Sequence, residues 1–75
     1  MSKLDDIYKI LSENLVGYNV SLGKESVVIH YSTPGFDDEL NYKVRGLLGN
    51  IGVETWMGYT NGVSGWICVV PKENL

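Results

Sequence analysis

The first part of the chain repeats its apolar residues at the spacing of an α-helix. Apolar side chains recur at Leu4, Ile7, Tyr8, Leu11 and Leu15. This i, i+3, i+4, i+7 pattern predicts an amphipathic helix with one buried side. Asp5 and Asp6 lie in the first turn, where the helix dipole favours negative charge, and Gly17 offers a natural stop.

Strict alternation then replaces the helical spacing and predicts a β-hairpin. Apolar and polar residues alternate over 18–22, which is typical of a half-buried strand. A turn at 23–25 leads into the β-branched and aromatic stretch 26–31, which predicts a second strand paired with the first. Val28 adds an apolar group on the opposite face, so this strand is less cleanly two-sided than the first.

A second helical stripe follows the hairpin. Its apolar positions are Leu40, Val44, Leu47, Leu48 and Ile51. Asp37 stands where an N-cap is expected, and Phe36 and Leu40 would then form a hydrophobic staple. Gly46 inside this helix costs about 1 kcal/mol relative to alanine. It marks either close packing against a strand or no special contact.

The last segment reads as a hairpin around Asn61-Gly62, the strongest short-range signal for a tight type I′ turn. A turn made of these two residues alone determines which residues face each other. The predicted register pairs Thr60 with Val63, Gly58 with Gly65, Met57 with Trp66, and Trp56 with Ile67.

These elements predict the order α-β-β-α-β-β and an α+β fold. We expect a four-stranded, mostly antiparallel sheet with two helices, in a two-layer sandwich. The 75 residues and 8.3 kDa allow a single small domain, with 71–75 as a frayed tail. A chain of this size buries only roughly 60% of its unfolded surface, so oligomerisation is one way to reinforce it.

The predicted register leaves apolar side chains on both faces of the last hairpin. Met57 and Trp66 would pack under the helices. The other face would present a candidate protein-binding set made of Trp56, Ile67, Val63, Val69, Gly58 and Gly65. Its two glycines would let another backbone approach closely. Three interpretations stay open: a helix covers this face and Trp56 is core, a second copy covers it, or a different protein does.

Charge and composition exclude several classes of partner. The net charge is −3 and the six basic residues are scattered, so no basic stripe for nucleic acid is present. No apolar run approaches the roughly 20 residues of a membrane-spanning helix, and from the opening residues we expect no signal peptide. With one cysteine and one histidine we expect no disulfide, metal or cofactor, and a cytoplasmic location.

The candidate chemistry is thin. Cys68 and His30 would have to act as nucleophile and base, yet both fall in strand centres and no third orienting group is evident. Cys68 fits better as a small core residue. Residues 37–39 are acidic, but the helix dipole accounts for them. We therefore expect no enzymatic activity.

The leading functional hypothesis is a non-catalytic protein-binding module, homodimeric, that occludes or bridges a partner. The short, acidic, aromatic chain resembles in general character small phage or mobile-element proteins that bind and block a host protein. That likeness rests on overall character and not on a motif. The alternative is a small-molecule-binding domain with a cleft between sheet and helix. Its ligand would be oriented by hydroxyls from Tyr8, Tyr18, Tyr31 or Tyr59.

Overall fold

The computed structural model describes residues 3–32, 37–60 and 64–74. It contains two helices and a four-stranded antiparallel sheet, which confirms the predicted mixed α+β class. In chain order the elements are α1 (Lys3–Asn14), β1 (Asn19–Leu22), β2 (Val27–Tyr31), α2 (Asp38–Leu47), β3 (Val53–Thr60), β4 (Ser64–Pro71) and a 3₁₀ helix (Lys72–Asn74). Phe36 of the predicted staple, the Asn61-Gly62 turn and Val63 lie outside the described residues.

The end of α1 and the start of α2 follow the local sequence as predicted. The backbone N–H of Leu15 still donates to the Leu11 carbonyl at 2.8 Å, and Gly17 then takes a φ of 94° that few side chains tolerate. At the start of α2 the Asp37 carboxylate accepts a hydrogen bond from the Leu40 N–H at 3.0 Å. This contact confirms Asp37 as the N-cap.

Gly46 does not mark close packing. A Cβ placed on it would meet nothing within 4 Å, and the residue is exposed on α2. Of the two alternatives left open for this glycine, close packing against a strand is therefore wrong.

The strands lie in the order β1-β2-β4-β3, and each neighbouring pair is antiparallel. β4 is therefore a central strand, while β1 and β3 form the two edges of the sheet. The register of the central pair places Val27 opposite Val69 and Ile29 opposite Ile67.

One apolar cluster joins both helices to one face of the sheet. The buried members are Ile7, Leu11, Leu15, Val27, Ile29, Tyr31, Leu40, Val44, Leu48, Ile67 and Val69. Because successive strand residues point to opposite faces, the β2 and β4 members of this cluster share a single face. We call it the covered face. The alternate residues of β2 and β4 are half-buried or exposed, and they define the uncovered face.

The predicted register of the last hairpin is wrong by one residue. The structure pairs Thr60 with Ser64 and Trp56 with Cys68, so three positions, 61–63, separate the last paired residues. A shift of one residue moves a whole strand to the other face. Ile67 and Val69 are 0% exposed on the covered face. Burying these β-branched side chains against β2 takes precedence over the turn that Asn61-Gly62 suggests.

Residues 72–74, part of the tail predicted to be frayed, form the 3₁₀ helix. The Lys72 N–H donates to the Gly52 carbonyl at 2.9 Å, which extends the β3–β4 ladder by one pair. Exposed ion pairs join Lys3 to Glu73 at 3.8 Å and Lys72 to Glu54 at 3.9 Å. Pairs of this kind contribute about 0–1 kcal/mol each.

Candidate functional site

The uncovered face is built from rows of side chains that cross the sheet. The strand registers place one row at Asn19, His30, Trp66 and Gly58, and the next at Ser21, Val28, Cys68 and Trp56. Val70 and Glu54 form a shorter third row on β4 and β3.

The middle of this face is apolar. Trp56 is 47% exposed, and Val28, Trp66, Cys68 and Val70 are half-buried. We call these five residues the apolar strip. Exposed polar residues surround it: Asn19, Ser21, His30, Glu54 and Ser64. An apolar centre with a polar rim is the usual anatomy of a protein-binding surface, and tryptophan is the residue most enriched at its anchors.

Trp56 is not a core residue. It lies on the face opposite the helices, and nearly half of its surface reaches solvent. The interpretation in which a helix buries Trp56 is therefore wrong. The two interpretations in which another chain covers this face are left.

The predicted bare backbone at Gly58 and Gly65 is absent. The two glycines face opposite sides of the sheet, since Gly58 pairs with Trp66 and Gly65 with Tyr59. A Cβ on Gly58 would overlap the Trp66 indole, and a Cβ on Gly65 would overlap the Tyr31 ring. Each glycine is needed because an aromatic ring of a neighbouring strand occupies the space of its side chain.

The structure thus divides the candidate protein-binding set between the two faces of the sheet. Trp56 and Gly58 lie on the uncovered face, whereas Ile67, Val69 and Gly65 face the core. Sequence reasoning missed the other members of the strip, which are Val28, Trp66, Cys68 and Val70. A usable signal existed: Val27 and Ile29 match Ile67 and Val69 as alternating β-branched pairs, and aligning them assigns Trp66 and Cys68 to the opposite face.

Cys68 and His30 share the uncovered face but not a hydrogen bond. Val28 is directly opposite Cys68 and Trp66 is directly opposite His30, so the two are diagonal neighbours. Diagonal positions are separated by about 7–8 Å between Cα atoms. No hydrogen bond joins the two side chains in the part of the chain that the structure describes, and the arrangement lacks the contact of a nucleophile with its base.

A cleft of about 390 Å³ opens at the end of the sheet where β1 begins and β2 ends. Tyr18, Asn19, His30 and Tyr31 contribute to its wall. The Tyr31 hydroxyl also accepts a hydrogen bond from the Asp37 N–H at 3.2 Å. The volume falls at the small end of the usual ligand pockets, about 300–1,000 Å³.

Neither a metal site nor a membrane-spanning helix is found among the described residues. Among the described residues, no three histidine, cysteine, aspartate or glutamate side chains are grouped so as to hold a metal ion. No helix in the described ranges is long and apolar enough to cross a bilayer. The chain was compared with protein-family models, curated proteins and solved structures, and none of these comparisons produced a match.

Proposed function

We propose that this chain is a non-catalytic protein-binding module. In this proposal it is a two-layer α+β sandwich that leaves one sheet face free to contact a partner protein. The observation that carries the proposal is Trp56, an indole 47% exposed on the face opposite the helices. The half-buried Val28, Trp66, Cys68 and Val70 extend the apolar surface beside it.

The exposed part of Trp56 is large enough to act as an anchor. A tryptophan buries roughly 150–250 Å² when fully covered, so the exposed 47% corresponds to roughly 100 Å². At about 25 cal/mol per Å², covering that area contributes roughly 2–3 kcal/mol before the costs of association. A single anchor of this size needs the rest of the apolar strip to reach a useful affinity.

The mode of action we propose is occlusion or bridging. A sheet face with one half-exposed indole would contact a surface on another protein and block it while bound. In that role the chain would act like the small phage or mobile-element inhibitors that bind a host protein. We propose that it does so in the cytoplasm and as a homodimer. Nucleic acid and membranes are not among the partners we propose, since the basic residues are scattered along the sequence.

Trp56→Glu tests the proposal. The substitution places a charge in the apolar strip while the core residues stay unchanged. Tyr42→Glu is the matched control, because Tyr42 is an aromatic residue 71% exposed on α2, away from the sheet. Circular dichroism and thermal unfolding report the fold, and affinity capture from the native host reports binding.

We expect both variants to stay folded and only Trp56→Glu to lose at least tenfold of the captured protein. A tenfold loss corresponds to about 1.4 kcal/mol. If Trp56→Glu unfolds the chain, Trp56 is a core residue and the proposal is wrong. If both variants capture the same proteins as the wild type, the uncovered face is not the binding surface.

The cleft supports a second candidate function, binding of a small polar molecule. Tyr18 and Tyr31 are the two of the four suggested tyrosines that line it, together with Asn19 and His30. A thermal-shift screen with metabolites would show a stabilising ligand, and Tyr18→Ala should remove that shift while Tyr42→Ala keeps it. A screen without any shift counts against this candidate.

A further inference from the structure

The outer edge of β3 is a long strand edge, and no described strand pairs with it. β3 is the last strand in the order β1-β2-β4-β3 and has eight residues, twice the four of β1 at the other edge. It contains no proline, and Glu54 is its only charged residue. Proteins usually protect such an edge with charges, proline, bulges or a short strand. Apart from the single charge of Glu54, none of these devices is present in the described part of β3.

The backbone groups that face this edge can be identified. The Lys72 N–H donates to the Gly52 carbonyl, and these residues are opposite each other in the β3–β4 register. In an antiparallel ladder the hydrogen-bonded pairs alternate with non-hydrogen-bonded ones. The even-numbered residues of β3 therefore bond to β4, and Val53, Thr55 and Met57 direct their N–H and C=O groups outward. These three residues have no hydrogen bond within the part of the chain described.

We infer that β3 pairs antiparallel with β3 of a second copy of this chain, about a two-fold axis at Trp56. The two four-stranded sheets would then form one continuous sheet of eight strands. The inference rests on the proposed function, of which self-association is a part. It names the surface through which self-association occurs, and that surface is the backbone edge and not the apolar strip.

The register follows from the strand itself. The backbone groups of outward-facing residues must meet those of outward-facing residues in the second copy. A symmetric register can therefore be centred on a residue but not between two residues. Two such registers overlap seven residues of the strand, one centred on Trp56 over 53–59 and one centred on Met57 over 54–60. The second would place Trp56 opposite Gly58 of the other copy, where the Trp66 indole already occupies the space. The register centred on Trp56 places the smaller, flexible Glu54 side chain there in place of a second indole, so the conflict is smaller.

This register also suits the side chains. Trp56 would face Trp56 of the second copy at a non-hydrogen-bonded position, where side chains approach most closely. Aromatic cross-strand pairs are among the stabilising ones, and like charges directly opposite are destabilising. The two Glu54 carboxylates would each lie opposite Gly58 and not opposite each other.

A second copy fits this edge because the assembly closes. The two-fold operation uses the same edge on both copies and leaves only the two β1 strands at the ends of the sheet. Each β1 is four residues long, too short to extend the sheet with comparable pairing. The expected product is therefore a dimer and not a fibre.

Thr55→Pro tests the inference because it removes an outward N–H and leaves the hydrogen bonds between β3 and β4 in place. Leu22→Pro is the matched control on the other edge. The Gly23 N–H donates to the Ser26 carbonyl, so Leu22 also directs its N–H outward. Light scattering across a dilution series should give twice the 8.3 kDa monomer mass for the wild type and Leu22→Pro. Thr55→Pro should have the mass of a folded monomer. A wild-type monomer at every concentration, or a folded Thr55→Pro dimer, overturns the inference.

Disulfide trapping tests the register directly. It also tests the inference if Thr55→Pro does not fold. In a Cys68→Ser background, Trp56→Cys places two thiols at a non-hydrogen-bonded pair. The Cα separation there, about 4.5 Å, is within the range of disulfides. Mild oxidation should link most of the chain into dimers, whereas Tyr42→Cys in the same background should stay unlinked. A dimer in solution that is not linked at position 56 overturns the inference.

The two tests separate this inference from the proposed function. Thr55→Pro leaves Trp56 and the apolar strip intact, so a monomeric variant that still captures the partner shows that the strip acts without the dimer. If Thr55→Pro is dimeric while Trp56→Glu loses capture, the edge pairing is wrong and the binding surface stands.

Discussion

The Trp66 indole occupies the space above Gly58 into which a side chain would project. The two residues are directly opposite each other on β4 and β3, and a Cβ built on Gly58 would overlap the ring. Glycine weakens a strand because it has no side chain to pack. Here the ring of the neighbouring strand supplies that packing and, in the same place, forms part of the apolar strip. The shape of the uncovered face therefore depends on this contact.

Gly58→Ala should destabilise the protein, although alanine suits a strand better than glycine. The added methyl group must displace the indole, and overpacking of this kind costs typically about 1–3 kcal/mol. Denaturant unfolding followed by circular dichroism measures the change. Gly52→Ala is the control, since its added Cβ would only touch the Lys72 side chain at 3.8 Å. If Gly58→Ala is as stable as Gly52→Ala, the indole does not lie over Gly58.

Gly46→Ala should stabilise the protein by about 1 kcal/mol. Gly46 lies inside α2, and a Cβ there would meet nothing within 4 Å, so the methyl group adds helix propensity without a clash. Thermal unfolding measures the effect, which is an increase in Tm.

Gly17→Ala should have the opposite effect and lower Tm in the same thermal-unfolding assay. Its added Cβ would also meet nothing within 4 Å, but its φ of 94° is unfavourable for alanine. Loss of the left-handed glycine after α1 should lower stability by about 1 kcal/mol. If Gly46→Ala raises Tm and Gly17→Ala lowers it, backbone conformation determines the effect on stability, because neither methyl group meets a neighbouring atom. Equal changes in Tm would contradict that explanation.

The helices could be predicted from the sequence because their signals are local. The spacing of Ile7, Leu11 and Leu15 defines a single buried side, and all three are in the core. Asp37 is placed by its own hydrogen bond to the Leu40 N–H, a contact only three residues long. Short-range patterns of this kind do not depend on how the rest of the chain packs.

The register of the last hairpin could not be predicted in the same way. Asn61-Gly62 favours a tight turn, but the position of β4 is determined by Val27 and Ile29 of β2, more than thirty residues earlier in the chain. Trp66 misled the prediction further, because its size suits a core. In the structure a smaller residue, Ile67, occupies the core position, and the indole covers Gly58 on the other face.

The face on which a residue of β3 or β4 lies predicts how much stability the protein loses when that side chain is truncated to alanine. Ile67 is 0% exposed on the covered face and Trp56 is 47% exposed on the uncovered one. Ile67→Ala should therefore cost about 2–5 kcal/mol, because it leaves a cavity in the core. Trp56→Ala should cost less than Ile67→Ala, although it removes more atoms, since much of the indole is already in water.

Urea unfolding of the two variants at a concentration that keeps the chain monomeric measures this difference. Under the register that Asn61-Gly62 suggests, Ile67 and Trp56 would face each other on the same side, and their truncation would have similar effects. A smaller loss for Ile67→Ala than for Trp56→Ala would contradict the observed register. It would also reassign the uncovered face, because a shift of one residue returns Trp66 and Cys68 to the core.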